Sequence, residues 1–257
     1  MLHSYHNHTY LCNHADGTPR EYIEKAIQSG IKTFGFSDHV PMPFDSNYYS
    51  HFRMTLKQTE LYIKTIEDLK KEYQNDIKIR IGFEAEYYPD VFERMMNFIS
   101  AYPYEYLILG QHALGNEQYD VYCSSKTTDK NTLTRYVDQV CEGISTNKFL
   151  YLAHPDILNF IGDGDFYKAE MRRLCKHAKE NDIPLEINIL GMRAGRNYPN
   201  TEFWKIAKET GCTMVLGADA HCTDHVCVKE DVERAKAFAS TLGIEITQSL
   251  EDGLEGK

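Results

Sequence analysis

The chain has 257 residues, and its 28 lysines and arginines against 38 aspartates and glutamates give a formal net charge of −10 at pH 7. This acidic balance argues against a general nucleic-acid-binding protein, which would carry a basic stripe, and no apolar run approaches the ~20 residues of a membrane span. Eleven histidines stand against one tryptophan, and this surplus needs a chemical explanation.

The first residues, Met1 to His6, resemble neither a signal peptide nor an amphipathic transit sequence. The seven cysteines are scattered and form no CxxC pair, which favours free thiols in a reducing compartment over a zinc ribbon or a disulfide scaffold. We therefore expect a cytoplasmic protein. Because the sequence contains no low-complexity stretch and no Pro/Gly/Ser-rich linker, we expect residues 1–257 to form one domain.

Short apolar runs alternate with longer amphipathic segments along the chain. The first helix is clearly marked, since Thr18 can cap it, Pro19 takes the first helical position and Glu21 follows three residues after the cap. Strands are predicted at 2–5, 31–36, 77–81, 106–109, 149–152, 185–189, 213–216 and 244–246. Helices are predicted at 18–29, 55–74, 91–100, 131–145, 166–180, 201–210 and 229–242.

About seven strand–helix units in one chain indicate an α/β fold, a parallel sheet covered by helices. The length of the chain and the number of units favour a closed, irregular barrel over an open, doubly wound sheet. No GxGxxG or GxxxxGK[ST] motif follows a predicted strand, which disfavours nucleotide binding.

Histidines or carboxylates follow nearly every predicted strand. In a parallel barrel the C-terminal strand ends converge on one face, where active sites are built, so these residues would line one pocket. Imidazole and carboxylate groups suit zinc, iron or manganese. The candidate metal ligands are His6, His8, His14, His39, Glu84, His112, His154, Asp219 and His221.

Local spacing supports the metal hypothesis. In an extended segment, His6 and His8 point the same way, and so do Asp219 and His221. Each motif alone is more often a hydrogen-bonded loop or a helix cap, but their recurrence at consecutive strand ends favours metal, and nine ligands suffice for two or three ions. Four histidines lie off this pattern, of which only His225 remains an outside candidate: His3, His51, His177 and His225.

Taken together, these motifs resemble the PHP (polymerase and histidinol phosphatase) superfamily, and most of all its histidinol-phosphatase branch. The resemblance covers residues 2 to about 240. It rests on His6-Asn7-His8, residues 12–17, Gly35-Phe36-Ser37-Asp38-His39, Gly82-Phe83-Glu84, Leu109-Gly110-Gln111-His112, Ala153-His154-Pro155 and Gly217-Ala218-Asp219-Ala220-His221. It implies a distorted (β/α)7 TIM-like barrel with a trinuclear metal centre at the C-terminal strand ends.

The resemblance also implies how the ligands are shared among two to three divalent ions (Zn, Mn or Fe). One ion would be held by His6, His8, Glu84 and Asp219, a second by Glu84, His112 and His154, and a third by His14, His39 and His221. Many family members carry an aspartate near the place of His14. This chain offers both His14 and Asp16, so the choice of ligand between them stays open.

The activity that the resemblance implies is hydrolysis of L-histidinol phosphate to L-histidinol and phosphate, a step of histidine biosynthesis. We expect a metal-bridging hydroxide to attack phosphorus, while Arg193 and Arg196 contact phosphate oxygens. Asp16 is the candidate proton donor to the leaving group, and His39 and Arg196 complete the candidate catalytic set. Asp38 is expected to orient a neighbouring ligand.

The substrate's ammonium and imidazole groups need partners of their own. Glu86, Asn116 and Glu117 are the candidate contacts for the ammonium group. Tyr87, Tyr88 and Tyr119 are candidates for stacking on the imidazole, although all six residues can equally be ordinary polar or packing residues.

Three other functions remain open at this point: a PHP-type protein-tyrosine phosphatase, a PHP exonuclease and a non-catalytic metal-binding protein. The segments 41–52 and 111–129 are long enough to shield a small molecule, which disfavours a protein substrate. The charge of −10 disfavours an exonuclease. Structural zinc sites are closed by protein ligands, whereas nearby arginines suggest open positions here. The expected partner is a small-molecule phosphate ester, with no nucleic acid and no membrane, and the oligomeric state is left open.

Overall fold

The structure is a computed structural model that describes residues 1–45, 48–118 and 122–255. Its strands are β1 (His3–Ser4), β2 (Thr33–His39), β3 (Lys78–Ala85), β4 (Tyr106–Leu109), β5 (Leu185–Asn188) and β6 (Met214–Gly217). Its α-helices are α1 (Pro19–Gln28), α2 (Thr59–Glu72), α3 (Phe92–Ile99), α4 (Lys130–Ser145), α5 (Gly164–Glu180), α6 (Ile189–Arg193), α7 (Thr201–Thr210), α8 (Lys229–Thr241) and α9 (Glu251–Glu255). Short 3-10 turns lie at Tyr10–Cys12, Leu56–Gln58 and Thr223–His225.

The strands form a parallel sheet that closes on itself. β1 to β4 pair in chain order, and β5 pairs with β6. Leu152 joins the two sheets through parallel bridges to Leu109 and Leu185, and a parallel bridge between Asn7 and Ala220 links the last segment to the first. The chain therefore has the distorted (β/α)7 barrel that the resemblance implies, and the segment around Leu152 is the fifth of its seven strand positions.

Four strand predictions differ from the structure. β2 and β3 run on to His39 and Ala85, beyond the apolar stretches that marked them. The predicted strand 149–152 is reduced to the bridges of Leu152. The described residues 244–246 form no strand, although the next residue, Thr247, donates a backbone hydrogen bond to Met214.

The helix ends follow their local sequence. Thr18 and Glu21 form a reciprocal capping box at the start of α1, and α7 ends at Gly211 in the left-handed conformation that glycine adopts easily. The helices bury their apolar faces in a core whose buried side chains extend from Leu11 to Ile244.

All seven cysteines are free thiols, as expected. Among the described residues, no helix combines the length and the apolar character needed to cross a membrane.

Candidate metal centre

The first two candidate ligands are held by the segment that follows β1. Asn7 lies between them, and its amide donates to the carbonyl oxygen of Gly35 in β2 at 2.8 Å. Because side chains alternate in an extended segment, His6 and His8 then point to the same side. Their rings are 5.2 Å apart and both are fully buried.

Glu84 lies at the centre of the cluster, paired with His39 across the ladder between β2 and β3. Its Oε2 atom faces Nε2 of His6 at 3.4 Å, Nε2 of His8 at 3.4 Å and Nδ1 of His39 at 3.2 Å. Asp219 approaches from the other side of the barrel, with Oδ1 at 3.2 Å from Nε2 of His8 and 3.5 Å from Nε2 of His6.

The second oxygen of Glu84 serves a different group of ligands. Oε1 lies 2.9 Å from Nε2 of His154 and 3.5 Å from Nε2 of His112. The carboxylate reaches this place because residue 110 is glycine, where a Cβ atom would overlap Oε1 of Glu84. With different histidines at each oxygen, Glu84 has the arrangement of a carboxylate that bridges two ions.

A third group lies towards the exposed side of the cluster. Nε2 of His221 and Nε2 of His14 are 2.9 Å apart. His39 joins them, so that one nitrogen from each ring lies within 4.8 Å of the others. The structure thus brings all nine predicted ligands into one cluster. The groups within it overlap, since His39 also faces Glu84 and the ring of His8 lies 4.0 Å from that of His221.

The geometry fits bound cations. Two ligands on one tetrahedral zinc ion, each bonded at ~2.0–2.1 Å, lie about 3.3–3.4 Å apart, which matches the nitrogen–oxygen separations around Oε2 of Glu84. Nε2 of His6 and Nδ1 of His39 are buried and have no hydrogen-bond partner within the described residues. Since burying an unsatisfied polar atom costs free energy, a cation is the natural partner for these nitrogens.

Electrostatics keep the central carboxylates ionised. Burial alone would raise the pKa of Glu84, but His112, His6 and His39 outweigh it and hold that pKa well below its usual value. The pKa of Asp219 is lowered well below its usual value in the same way, with His6 and His8 opposing the effect of burial. Both side chains can therefore offer full negative charge to a cation.

Two further carboxylates lie behind the ligands and orient them. Glu186 in β5 accepts a hydrogen bond from Nδ1 of His6 at 2.8 Å, and Glu86 accepts one from Nδ1 of His112 at 2.8 Å. Each bond leaves Nε2 of the ring facing the centre, as is usual for metal-binding histidines. Asp38, which the sequence marks as an orienting group, lies 3.6 Å from Nδ1 of His8.

A cavity of about 370 Å³ opens above the cluster. Outside the candidate ligands, its walls are formed by Phe52, Tyr122, Ser124, Ile157, Leu190, Arg196 and Tyr198. Aromatic side chains thus face the cavity, but not the ones that the sequence suggested. Tyr88 is fully buried, Tyr87 packs on Phe92, and Tyr119 lies outside the described residues.

The structure separates the two predicted phosphate-binding arginines. Arg196 lines the cavity, and its Nη1 donates to the hydroxyl of Tyr198 at 2.6 Å. Arg193 instead pairs with Asp231 of α8, with its Nε 2.6 Å from the carboxylate, and it does not line the cavity. Arg193 is thus held away from the cavity, contrary to expectation, since α6 turns its side chain towards α8.

Four other expected site residues also lie outside the cavity. Asp16 is exposed, and it contacts the cluster only through its backbone N–H, which donates to the carbonyl oxygen of His221. Glu86 and Glu117 are buried and paired with Arg53, and Asn116 donates to Asp90. The carboxylates of Glu86 and Glu117 thus lie behind the cavity wall, where the buried guanidinium group of Arg53 neutralises their charge.

Sequence reasoning missed Glu186 and Arg53. In the alternating sequence of the strand Leu185–Asn188, Glu186 occupies a position typical of an outward-facing polar residue. It is buried only because the barrel closes around it. Arg53 lies in an irregular segment with no motif around it.

The chain is similar to known proteins in sequence and in fold. The sequence model of the PHP domain matches residues 4–189. A protein of Deinococcus radiodurans named probable histidinol-phosphatase is 30% identical over 222 residues, covering 84% of this chain and 85% of that protein. The histidinol-phosphatase of Bacillus subtilis is 28% identical over 84% of this chain and 92% of its own length. The structure of histidinol phosphate phosphatase from Lactococcus lactis, complexed with zinc, L-histidinol and phosphate, has a similar fold, with a TM-score of 0.74, 19% identity and 95% of each chain covered.

Proposed function

The chain belongs to the PHP domain family, and from this premise we propose that it is a metal-dependent phosphomonoesterase that hydrolyses L-histidinol phosphate to L-histidinol and phosphate. The observation that carries the proposal is the position of Glu84, whose two oxygens face separate histidine groups at the floor of the cavity. The relatives named histidinol-phosphatase, and the zinc, histidinol and phosphate bound in the Lactococcus lactis protein, support the choice of substrate.

We assign the nitrogen and oxygen donors of the cluster, which suit zinc, manganese and iron, to three sets of ligands. Divalent ions bound there would lower the pKa of a water molecule and neutralise the charge of the phosphoryl oxygens. The ions would be held by His6, His8, Asp219 and Glu84, by Glu84, His112 and His154, and by His14, His39 and His221.

Arg196 is the residue of the cavity wall best suited to the phosphate group. Its guanidinium group is planar and keeps its positive charge, so it can contact two phosphate oxygens at once. The hydrogen bond from Nη1 to Tyr198 fixes the direction of the side chain. We therefore assign Arg196 to the phosphate group, beside the ions that the cluster would hold.

The size of the cavity favours a small ester over a phosphoprotein. A volume of about 370 Å³ lies in the ~300–1,000 Å³ range of small-molecule sites. Phe52 and Tyr122 provide apolar surface for an imidazole ring, with their centroids 6.1 Å apart and in an edge-to-face arrangement.

A panel of substrates tests the proposal. The metal-loaded protein is assayed for phosphate release from L-histidinol phosphate, p-nitrophenyl phosphate, a phosphotyrosine peptide and an oligonucleotide with a terminal phosphate. We expect kcat/KM for histidinol phosphate to exceed that for p-nitrophenyl phosphate at least about tenfold, which corresponds to ~1.4 kcal/mol of recognition of the organic part. Equal efficiency on these two esters, or a preference for the peptide or the oligonucleotide, would contradict the proposed substrate.

A further inference from the structure

Arg53 joins the segments that follow four consecutive strands. Its carbonyl oxygen accepts a hydrogen bond from Nδ2 of Asn13, after β1, at 3.1 Å. Its Nη1 donates to the carbonyl oxygen of Val40, after β2, at 2.7 Å, and its Nη2 donates to Oε2 of Glu86, after β3, at 2.9 Å. Its Nε lies 3.1 Å from Oε2 of Glu117, after β4. Through its guanidinium group and its own carbonyl oxygen, Arg53 thus connects four of the seven segments on the cavity side of the barrel.

Arg53, Glu86 and Glu117 form a junction whose charged groups are all buried. Arg53 is 2% exposed, and Glu86 and Glu117 are buried as well. A buried charge is tolerated only when it is paired and hydrogen-bonded, and the guanidinium fork meets both carboxylates and a carbonyl group. Since Glu86 also holds Nδ1 of His112, the junction continues directly to a candidate metal ligand.

The junction also supports the aromatic wall of the cavity. The guanidinium carbon of Arg53 lies 4.4 Å from the centroid of the Phe52 ring, within the range of a cation–π contact. Tyr122 forms an antiparallel bridge with Ala113 at the base of the segment that carries Glu117. The two rings meet edge to face in the cavity wall. Arg53 thus contacts Phe52 directly, and its partner Glu117 lies on the segment whose base carries Tyr122.

We propose that Arg53 is a positioning residue that determines substrate specificity, because it fixes Phe52 and Tyr122 as the wall that contacts the organic part of a small phosphate ester. The phosphate group is bound elsewhere, by the metal cluster and Arg196. The identity of the ester rests on the proposed function, whereas the positioning role rests on the contacts of Arg53.

The variant Arg53→Lys tests the positioning role, since lysine keeps the positive charge but cannot form the fork of bonds. We compare the metal-saturated variant with the wild type by calorimetry, with inorganic phosphate and L-histidinol as separate ligands, and by steady-state kinetics. We expect the affinity for histidinol to fall about tenfold, which corresponds to ~1.4 kcal/mol, because the aromatic wall is no longer held in place, while the affinity for phosphate stays near the wild-type value. In the kinetics, KM for histidinol phosphate should rise more than kcat falls.

Two controls accompany this variant. Arg20→Lys makes the same change at a fork to Glu72 on the outside of the protein and should leave every value unchanged. Glu117→Gln breaks the junction from a loop position, and it provides the test if Arg53→Lys does not fold. Wild-type affinity for histidinol in a folded Arg53→Lys or Glu117→Gln protein would overturn the proposal.

Limited proteolysis separates failure of this inference from failure of the proposed function. If the wild-type protein neither binds histidinol nor hydrolyses its phosphate, the proposed substrate is wrong. The positioning role of Arg53 is then tested by the rate of proteolytic cleavage within residues 40–55 and 110–118. This rate should increase in Arg53→Lys and not in Arg20→Lys. Equal cleavage rates in the wild type and Arg53→Lys would overturn the positioning role without reference to any substrate.

Discussion

At the scale of single residues, Glu186 shows how a candidate ligand is held from behind. It is fully buried and accepts hydrogen bonds from Nδ1 of His6 at 2.8 Å, from Nδ2 of Asn188 at 2.9 Å and from the backbone N–H of His154 at 3.1 Å. A Cβ atom at residue 217 would overlap its Oε1, so Gly217 provides the necessary space. Glu186 therefore sets the orientation of His6 without facing the metal positions itself.

Replacing this carboxylate tests its role. Glu186→Gln keeps the shape of the side chain but removes the charge that favours the Nδ1 proton of His6. We expect the affinity for zinc to fall about 10- to 100-fold, as is typical when an outer partner of a metal-binding histidine is lost. Competition with a chelator measures this affinity, and Glu180→Gln, at an exposed position at the end of α5, is the matched control. Unchanged zinc affinity in Glu186→Gln would contradict the role assigned here.

Arg196 and Arg193 form a natural pair for a second test, since they lie three residues apart and only Arg196 lines the cavity. Arg196→Lys loses the bidentate contact to phosphate, and we expect kcat/KM to fall about 10- to 100-fold, the loss of one charge-assisted hydrogen bond. Arg193→Lys, which alters only the pair with Asp231, should keep kcat/KM near the wild-type value. Steady-state kinetics on both variants measures these changes. A larger loss of kcat/KM in Arg193→Lys than in Arg196→Lys would reverse the assignment.

At the scale of elements, the sequence predicts most helices and strands because their apolar spacing and caps are local properties. The apolar pattern does not predict the ends of β2 and β3, because their ladder continues through Ser37, Asp38 and His39 on β2 and reaches Glu84 on β3, opposite His39. Their polarity, which argues against a buried strand, serves the metal cluster instead. The segment 149–152 still bonds to both neighbours, with Leu150 N–H donating to Leu107 and Leu152 N–H donating to Pro184, but it forms only isolated bridges.

The C-terminal helix α9 docks at the opposite end of the barrel from the cavity. Glu251 accepts a hydrogen bond from the Tyr5 hydroxyl at 3.0 Å, lies 2.5 Å from Nη2 of Arg80 and pairs with Lys78 at the start of β3. Burial alone would raise the pKa of Glu251, but Arg80, Lys78 and Tyr5 outweigh it and lower the pKa from 4.5 to about 2. We therefore expect this carboxylate to contribute to stability and not to catalysis.

The lowered pKa sets the direction of a pH effect. A group whose pKa is lower in the folded state stabilises the protein above its unfolded pKa, and this contribution is lost as the pH falls towards the folded value. The Tm difference between the wild type and Glu251→Gln should therefore be constant above about pH 6 and shrink below about pH 4.5. Thermal unfolding at a series of pH values measures it, with Glu60→Gln on the exposed face of α2 as the control. A Tm difference that widens in acid, or a large fall in kcat for Glu251→Gln, would contradict the stabilising role of Glu251.

At the scale of the whole molecule, closure of the barrel is what turns scattered motifs into one site. Candidate ligands from His6 to His221 meet because Asn7 pairs with Ala220 and Leu152 joins the two sheets. The sequence could predict this convergence from the rule that parallel strand ends share one face. It could not predict which of the polar residues near the strand ends face the cavity, because the exclusion of Arg193 and Glu117 depends on partners distant in the chain, Asp231 and Arg53.

We propose that this chain hydrolyses histidinol phosphate with metal ions that Glu84 and the surrounding histidines would hold. The most direct test is a titration of the metal-free protein with zinc, in which bound zinc and the rate of phosphate release from histidinol phosphate are measured in the same samples. We predict that the rate rises more steeply than in proportion to bound zinc and reaches its maximum at about two to three ions per chain. A full rate with one ion or none, or no rate in protein that holds three, would contradict the claim.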